Sequence, residues 1–96
     1  MDDRPGWRRA LDRADAQKRR ARMVRAELQA GVLTLSQALA DPGVAGLTVG
    51  RVIQWLPRYG PHRADLLLQR VRINPARRCG QLTEHQRLVL EQAVRR

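Results

Sequence analysis

The chain is expected to fold as an all-α protein of about five helices, and three observations say so. Two short segments, Val49/Val52/Ile53/Leu56 and Ala64/Leu67/Leu68/Val71, are apolar at i, i+3, i+4 and i+7, so each is one face of an amphipathic helix. From Trp7 to Ala30 neither Pro nor Gly occurs, and Ala, Arg, Leu and Gln are all good helix formers. Nothing alternates with period two over a useful length, so no sheet is expected, and no internal repeat is visible. The 96 residues make one small domain. Its core must be mainly Leu, Val and Ala, because there is no Phe and only Trp7, Trp55 and Tyr59 are aromatic.

Residues 1–6 read as an irregular start, acidic and broken by Pro5 and Gly6. The first helix follows from Trp7 to Ala30, closed by Gly31. Its stripe of Trp7, Leu11, Ala14, Ala21, Val24 and Leu28 is thin, so only Met23 to Leu28 is expected to be anchored. Residues 1–20 are therefore expected to be a basic, partly mobile extension, and 21–96 the compact helical domain. Thr34-Leu35-Ser36-Gln37 reads as a capping box that starts a short second helix with Leu35 and Leu39 inward. Asp41-Pro42-Gly43 ends it, and 41–47 read as a loop. Thr48 is the expected N-cap of a third helix, Val49 to Leu56. Gly60 supplies a turn position that tolerates positive φ, and Pro61 suits the first turn of a fourth helix running to about Arg72. Asn74-Pro75 breaks that helix. A second capping box, Thr83-Glu84-His85-Gln86, opens a fifth at 84–95, with Leu90, Ala93 and Val94 inward.

The formal net charge is +10, from 19 Lys and Arg against 9 Asp and Glu, and Lys18 is the single lysine. Such a balance concerns partners rather than fold, and points to polyanions: DNA, RNA or an anionic membrane surface. Guanidinium forks meet phosphate bidentately, which suits an arginine excess. No apolar run approaches the length of a membrane span, and the first residues lack the apolar stretch of a secretory signal, so a cytoplasmic protein is expected. Cys79 stands alone, without a disulfide partner or a metal-ligand spacing.

Three groups of residues carry possible chemistry. The turn Leu56-Pro57-Arg58-Tyr59-Gly60-Pro61-His62-Arg63 can leave backbone N–H groups free at the start of the next helix, where they and the helix dipole attract phosphate. The same pattern also suits a plain α-α hairpin that only packs. Arg77-Arg78 follows a helix break, is expected to lie near the hairpin, and could clamp a phosphate backbone; it could equally be a solvated pair. Lys18, Arg19, Arg22 and Arg25 could run along a duplex, or form a solvated helix face. With net charge +10, phosphate contact is the favoured reading of the hairpin and of the block at 18–25. No catalytic centre, cofactor or metal site can be placed. His62 and His85 are the only histidines, and Asp65 and Glu84 sit at helix starts, where the dipole is reason enough for an acid.

From about Arg22 to Val94 the chain resembles the actinobacterial integration host factor family of nucleoid-associated proteins. The resemblance rests on Val24-Arg25-Ala26-Glu27-Leu28, Leu33-Thr34-Leu35, the Val49–Leu56 segment, and Leu56-Pro57 with Gly60 and Arg63-Ala64. It continues through Gln69-Arg70-Val71-Arg72-Ile73, Arg77-Arg78, Leu82 and Gln86, leaving the N-terminal extension outside. The resemblance implies a long N-terminal helix on a compact helix–two-turns–helix domain. It also implies largely sequence-independent binding of duplex DNA, with bending or compaction. The chain departs from the family turn, typically Leu-Pro-Gly-Val-Gly-Lys, at Arg58, Tyr59 and Pro61, and from the family's arginine-rich segment at Gly80. Arg58 would then replace a close backbone approach with a side-chain contact, with Tyr59 against a sugar, and Arg19 and Arg20 would add charge.

The expected function is thus non-enzymatic binding of double-stranded DNA by a nucleoid-associated monomer without cofactor. Gly60, His62, Arg63 and Arg58 supply the hairpin contact, Arg77 and Arg78 a clamp, and Lys18, Arg19, Arg22 and Arg25 a second patch. Binding of RNA or the ribosome, and a protein-interaction adaptor using the Trp7/Leu11/Ala14 stripe, are the alternatives.

Overall fold

The uninterrupted run after Pro5 forms what its composition dictates, a 24-residue helix α1, Gly6–Gln29, about 36 Å long. A computed structural model describes the backbone of residues 6–95 and the side chains of residues 12–95. Of the irregular start expected at 1–6, residues 1–5 lie outside the described residues, as do the side chains of Trp7 and Leu11, and Gly6 already belongs to α1. α1 ends in a Schellman turn. Gly31 takes φ 78°, its N–H donates to the Leu28 carbonyl at 3.2 Å, and the Val32 N–H donates to the Glu27 carbonyl at 2.9 Å.

Helix α2, Leu35–Ala40, opens on the expected capping box: the Gln37 N–H donates to the Thr34 hydroxyl at 3.1 Å, and the Thr34 N–H to Gln37 Oε1 at 2.9 Å. The segment 41–47 is not a plain loop. Pro42–Val44 form a 3₁₀ turn that drives Val44 into the core at 0 % exposure. Helix α3 covers only Val49–Ile53, shorter than expected. Trp55 and Leu56 donate to the carbonyls three residues back, Val52 and Ile53, so the helix tightens and stops. Pro57 is the cause, because the residue before a proline is disfavoured in the α conformation.

Helix α4, Pro61–Val71, starts at Gly60 and ends at Arg72, a non-glycine residue at φ 60°. The chain accepts that left-handed position because it delivers Ile73 to the core, where its N–H donates to the Leu68 carbonyl at 2.9 Å. A second 3₁₀ turn, Cys79–Gln81, leads into α5, Glu84–Val94, which opens on the Thr83/Gln86 capping box. There is no strand among the described residues, only an isolated antiparallel bridge between Thr48 and Arg78. The fold class is the expected all-α one.

α2 sits at the centre, packed against α1, α3 and α5. Leu35 and Leu39 from α2 meet Val24, Leu28, Val49, Ile53, Leu68 and Leu90 in one apolar cluster. α1 is tied down earlier than expected. Arg20 bonds bidentately to Asp41, with Nη2 to Oδ2 at 2.7 Å and Nε to Oδ2 at 3.1 Å. Gly43 lies so close to the Arg20 stem that a Cβ there would stand 2.8 Å from Arg20 Cβ. Met23, by contrast, is 52 % exposed and anchors nothing.

Asp41 serves three structures at once. Its N–H closes α2 on Ala38, its carboxylate caps the 3₁₀ turn through the Gly43 N–H at 2.8 Å, and the same carboxylate holds Arg20. Asp41→Ala is expected to lower stability by about 1–2 kcal/mol, mostly through the lost cap, since Arg20 is largely in solvent. The hydrogen bonds from Arg20 hold the Asp41 carboxyl below its ordinary 3.8. Its contribution is therefore present above that pH and lost as pH falls through the lowered value. Urea unfolding of wild type and Asp41→Ala at pH 7 and near pH 3 checks both, with the gap between them closing in acid.

Cys79 is buried outright, and burial pushes its thiol up to about 11 from an ordinary 9.0. The folded chain keeps the thiol protonated where the unfolded chain ionises it. Stability from this source is complete below about pH 8.5 and lost as pH rises towards 11, by as much as ~2–3 kcal/mol. Unfolding midpoints between pH 8 and 10.5 should fall for wild type and stay flatter for Cys79→Ala.

Candidate nucleic-acid interface

Lys18, Ala21, Arg22 and Arg25 fall at i, i+3, i+4 and i+7, which puts them on one face of α1. Opposite them α3 turns Val49, Val52 and Ile53 into the core, so Arg51 faces outward, while the following Trp55 is half-buried and packs partly against the core. The two elements enclose a groove of ≈ 340 Å³ lined by Lys18, Arg22, Arg25, Arg51 and Trp55, with Ala21 and Leu47 between them. None of the four cations has an ion-pair partner among the described residues. Four like charges along a groove with low-dielectric walls focus a positive potential on whatever enters. Arg20, one step round the helix, is spent on Asp41 instead. Arg19 is exposed and does not line the groove.

The Arg77-Arg78 pair is held at the start of α3, the end opposite the hairpin. The Val49 N–H donates to the Arg77 carbonyl at 2.8 Å and the Cys79 N–H to the Leu47 carbonyl at 2.9 Å, pinning the pair to the start of α3. Arg78 Nη1 donates to the Gly46 carbonyl at 2.8 Å, and Gly46 lines the cleft of ≈ 290 Å³ that continues the groove past Ala21 and Leu47. Arg77 Nη2 donates to the Gln81 carbonyl at 3.2 Å. Each guanidinium spends one N–H on these bonds and keeps others for an anion. Gly80 has a structural reason: its N–H donates to the Ala45 carbonyl, and a Cβ there would stand 3.1 Å from Ala45 Cβ.

The hairpin lies beyond the other end of α3. Gly60 has φ −81°, not a positive value, and a Cβ on it would meet nothing within 4 Å. The positive φ that Gly60 would have tolerated is not used: any residue suits that backbone, and Gly60 acts as an N-cap without a side chain. Pro61 lacks an N–H, so the free donors at the start of α4 are those of His62 and Arg63. The Arg63 side chain folds back, with Nη1 donating to the Arg58 carbonyl at 3.0 Å and its guanidinium 5.1 Å from the centroid of the Tyr59 ring. Tyr59 is half-buried, and one face of its ring carries that guanidinium. Arg58 and His62 are exposed.

Sequence inspection missed Arg51 and Trp55 as site residues. The outward face of Arg51 was legible from the buried positions of α3; that Arg51 and the half-buried Trp55 share a groove with Lys18, Arg22 and Arg25 is a tertiary fact. Among the described residues, no cluster of three or more His, Cys, Asp and Glu could hold a metal ion, and no helix is long and apolar enough to cross a membrane. Comparison with family models, curated proteins and solved structures finds no match.

Proposed function

We propose that the chain is a non-enzymatic, nucleoid-associated protein that binds duplex DNA largely without sequence preference and bends or compacts it. The observation that carries this reading is the convergence of Lys18, Arg22, Arg25 and Arg51 along one groove, with Arg78 bonded to Gly46 at the edge of its continuation and Arg77 beside it in the chain. Backbone contacts of this kind position a duplex without reading bases. The hairpin, with Arg58 and the N–H groups of His62 and Arg63, offers a separate contact at the other end of α3. Two contacts on one rigid body let a single molecule hold DNA off its straight axis. The resemblance of the Arg22–Val94 sequence to the actinobacterial integration host factor family leads to the same reading, and with it the protein is proposed to be cytoplasmic and monomeric.

About six neutralised phosphates give a slope of log K against log salt near −5. Mobility shifts of wild type and Arg77→Ala/Arg78→Ala across a salt series test it. The double variant is expected to lose about two from the slope, with thermal melting as a check because both side chains also bond backbone carbonyls. A wild-type slope shallower than about −2 overturns the proposal. Duplex DNA is expected to outcompete structured RNA at fixed salt.

A further inference from the structure

We propose that the groove between α1 and α3 receives one unpaired nucleotide, so that the protein favours DNA carrying a bulged or flipped-out base over perfect duplex. This rests on the DNA-binding reading above and names the form of DNA that the same groove selects. Among the described residues, Trp55 is the only aromatic one lining the groove, together with Lys18, Arg22, Arg25 and Arg51. It is half-buried, packed partly against the core, and its carbonyl is held by Gln29 Nε2 at 3.1 Å, which ties it to the C-terminal end of α1.

An aromatic face amid cations is what single-stranded nucleic acid uses, the base stacking on the ring and the phosphates meeting the charges. In a duplex both faces of every base are covered by stacked neighbours, so Trp55 can meet only a base that has left the stack. A groove of ≈ 340 Å³ has room for one nucleotide, while a duplex can only lie over it. The cations lie on both walls, Lys18, Arg22 and Arg25 on α1 and Arg51 on α3, where phosphates flanking an extruded nucleotide can reach them. Tyr59 differs: its ring already carries the Arg63 guanidinium, so the hairpin offers no equivalent.

Two probes decide it: a short duplex of arbitrary sequence, and the same duplex with a single unpaired thymidine. Wild type is expected to bind the bulged duplex about tenfold more tightly at fixed salt. In a Trp7→Phe background the remaining tryptophan emission should be quenched by the bulged duplex and little changed by the perfect one. Trp55→Leu should bring the affinity ratio to about one, and Trp55→Phe should keep part of it. Equal affinity of wild type for both probes, equal quenching by both, or a ratio that survives Trp55→Leu overturns the proposal. If perfect duplex still binds with a steep salt slope, the DNA-binding reading stands without it. If neither probe binds at low salt, both fall. Should Trp55→Leu not fold, the emission of the Trp7→Phe protein and the ratio for Trp55→Phe still decide the outcome.

Discussion

Replacing Arg22, Arg25 and Arg51 together by glutamine is expected to weaken binding to a perfect duplex on the order of a hundredfold at moderate salt. Glutamine keeps part of each aliphatic stem against Ala21 and Trp55, so the change acts mainly on charge. Each phosphate contact contributes about −0.9 to the salt slope, so the slope should flatten by roughly three. The three residues come from two elements, and only the fold makes them one surface. Neutralising three cations elsewhere, Arg70, Arg72 and Arg95, lowers net charge equally and should change the slope by less than one. A mobility-shift titration at several salt concentrations separates the two. Equal losses from both triple variants would mean that net charge, and not the groove, governs binding.

Leu39→Ala should produce the largest loss of stability, about 2–5 kcal/mol. Leu39 is 1 % exposed on the helix that touches α1, α3 and α5, so a cavity there is lined from several sides and cannot collapse by moving one element. A small domain has only about 5–15 kcal/mol of stability, so the urea midpoint should drop by about 1–2 M. Met23→Ala, at a residue 52 % exposed, should stay within about 0.5 kcal/mol of wild type. A small Leu39→Ala effect would mean that α2 is not the keystone of the core.

Much of the fold was legible in the sequence because its signals are local. Thr34/Gln37 and Thr83/Gln86 cap the helices they were expected to cap, since both partners lie within one turn of each other. Gly31 closes α1 for an equally local reason. Misses arose where a local signal was overruled by packing. Val44, in a stretch of small residues that resembles a loop, is fully buried, because the 3₁₀ turn at Pro42 aims it at the core. Arg72 takes a left-handed φ with no glycine to announce it, since burying Ile73 outweighs a strain of about 1–2 kcal/mol. Gly60 kept an ordinary φ because Pro61 already sets the entry into α4.

The candidate interface divides in the same way. Composition alone established an arginine-rich chain with a charge of +10, and periodicity alone placed Lys18, Arg22 and Arg25 on one helix face. Which other charges join that face was decided by contacts between residues far apart in the chain. The backbone bonds of Val49 to Arg77 and Cys79 to Leu47 hold Arg77-Arg78 at the start of α3, at the end opposite the hairpin. Asp41 withdraws Arg20 from the basic face by pairing with it. Helix periodicity has a reach of one or two turns, so it orders charges along an element. The relation between elements is set by how the Leu and Val side chains of α1, α2 and α3 pack, and that packing has no short-range signature.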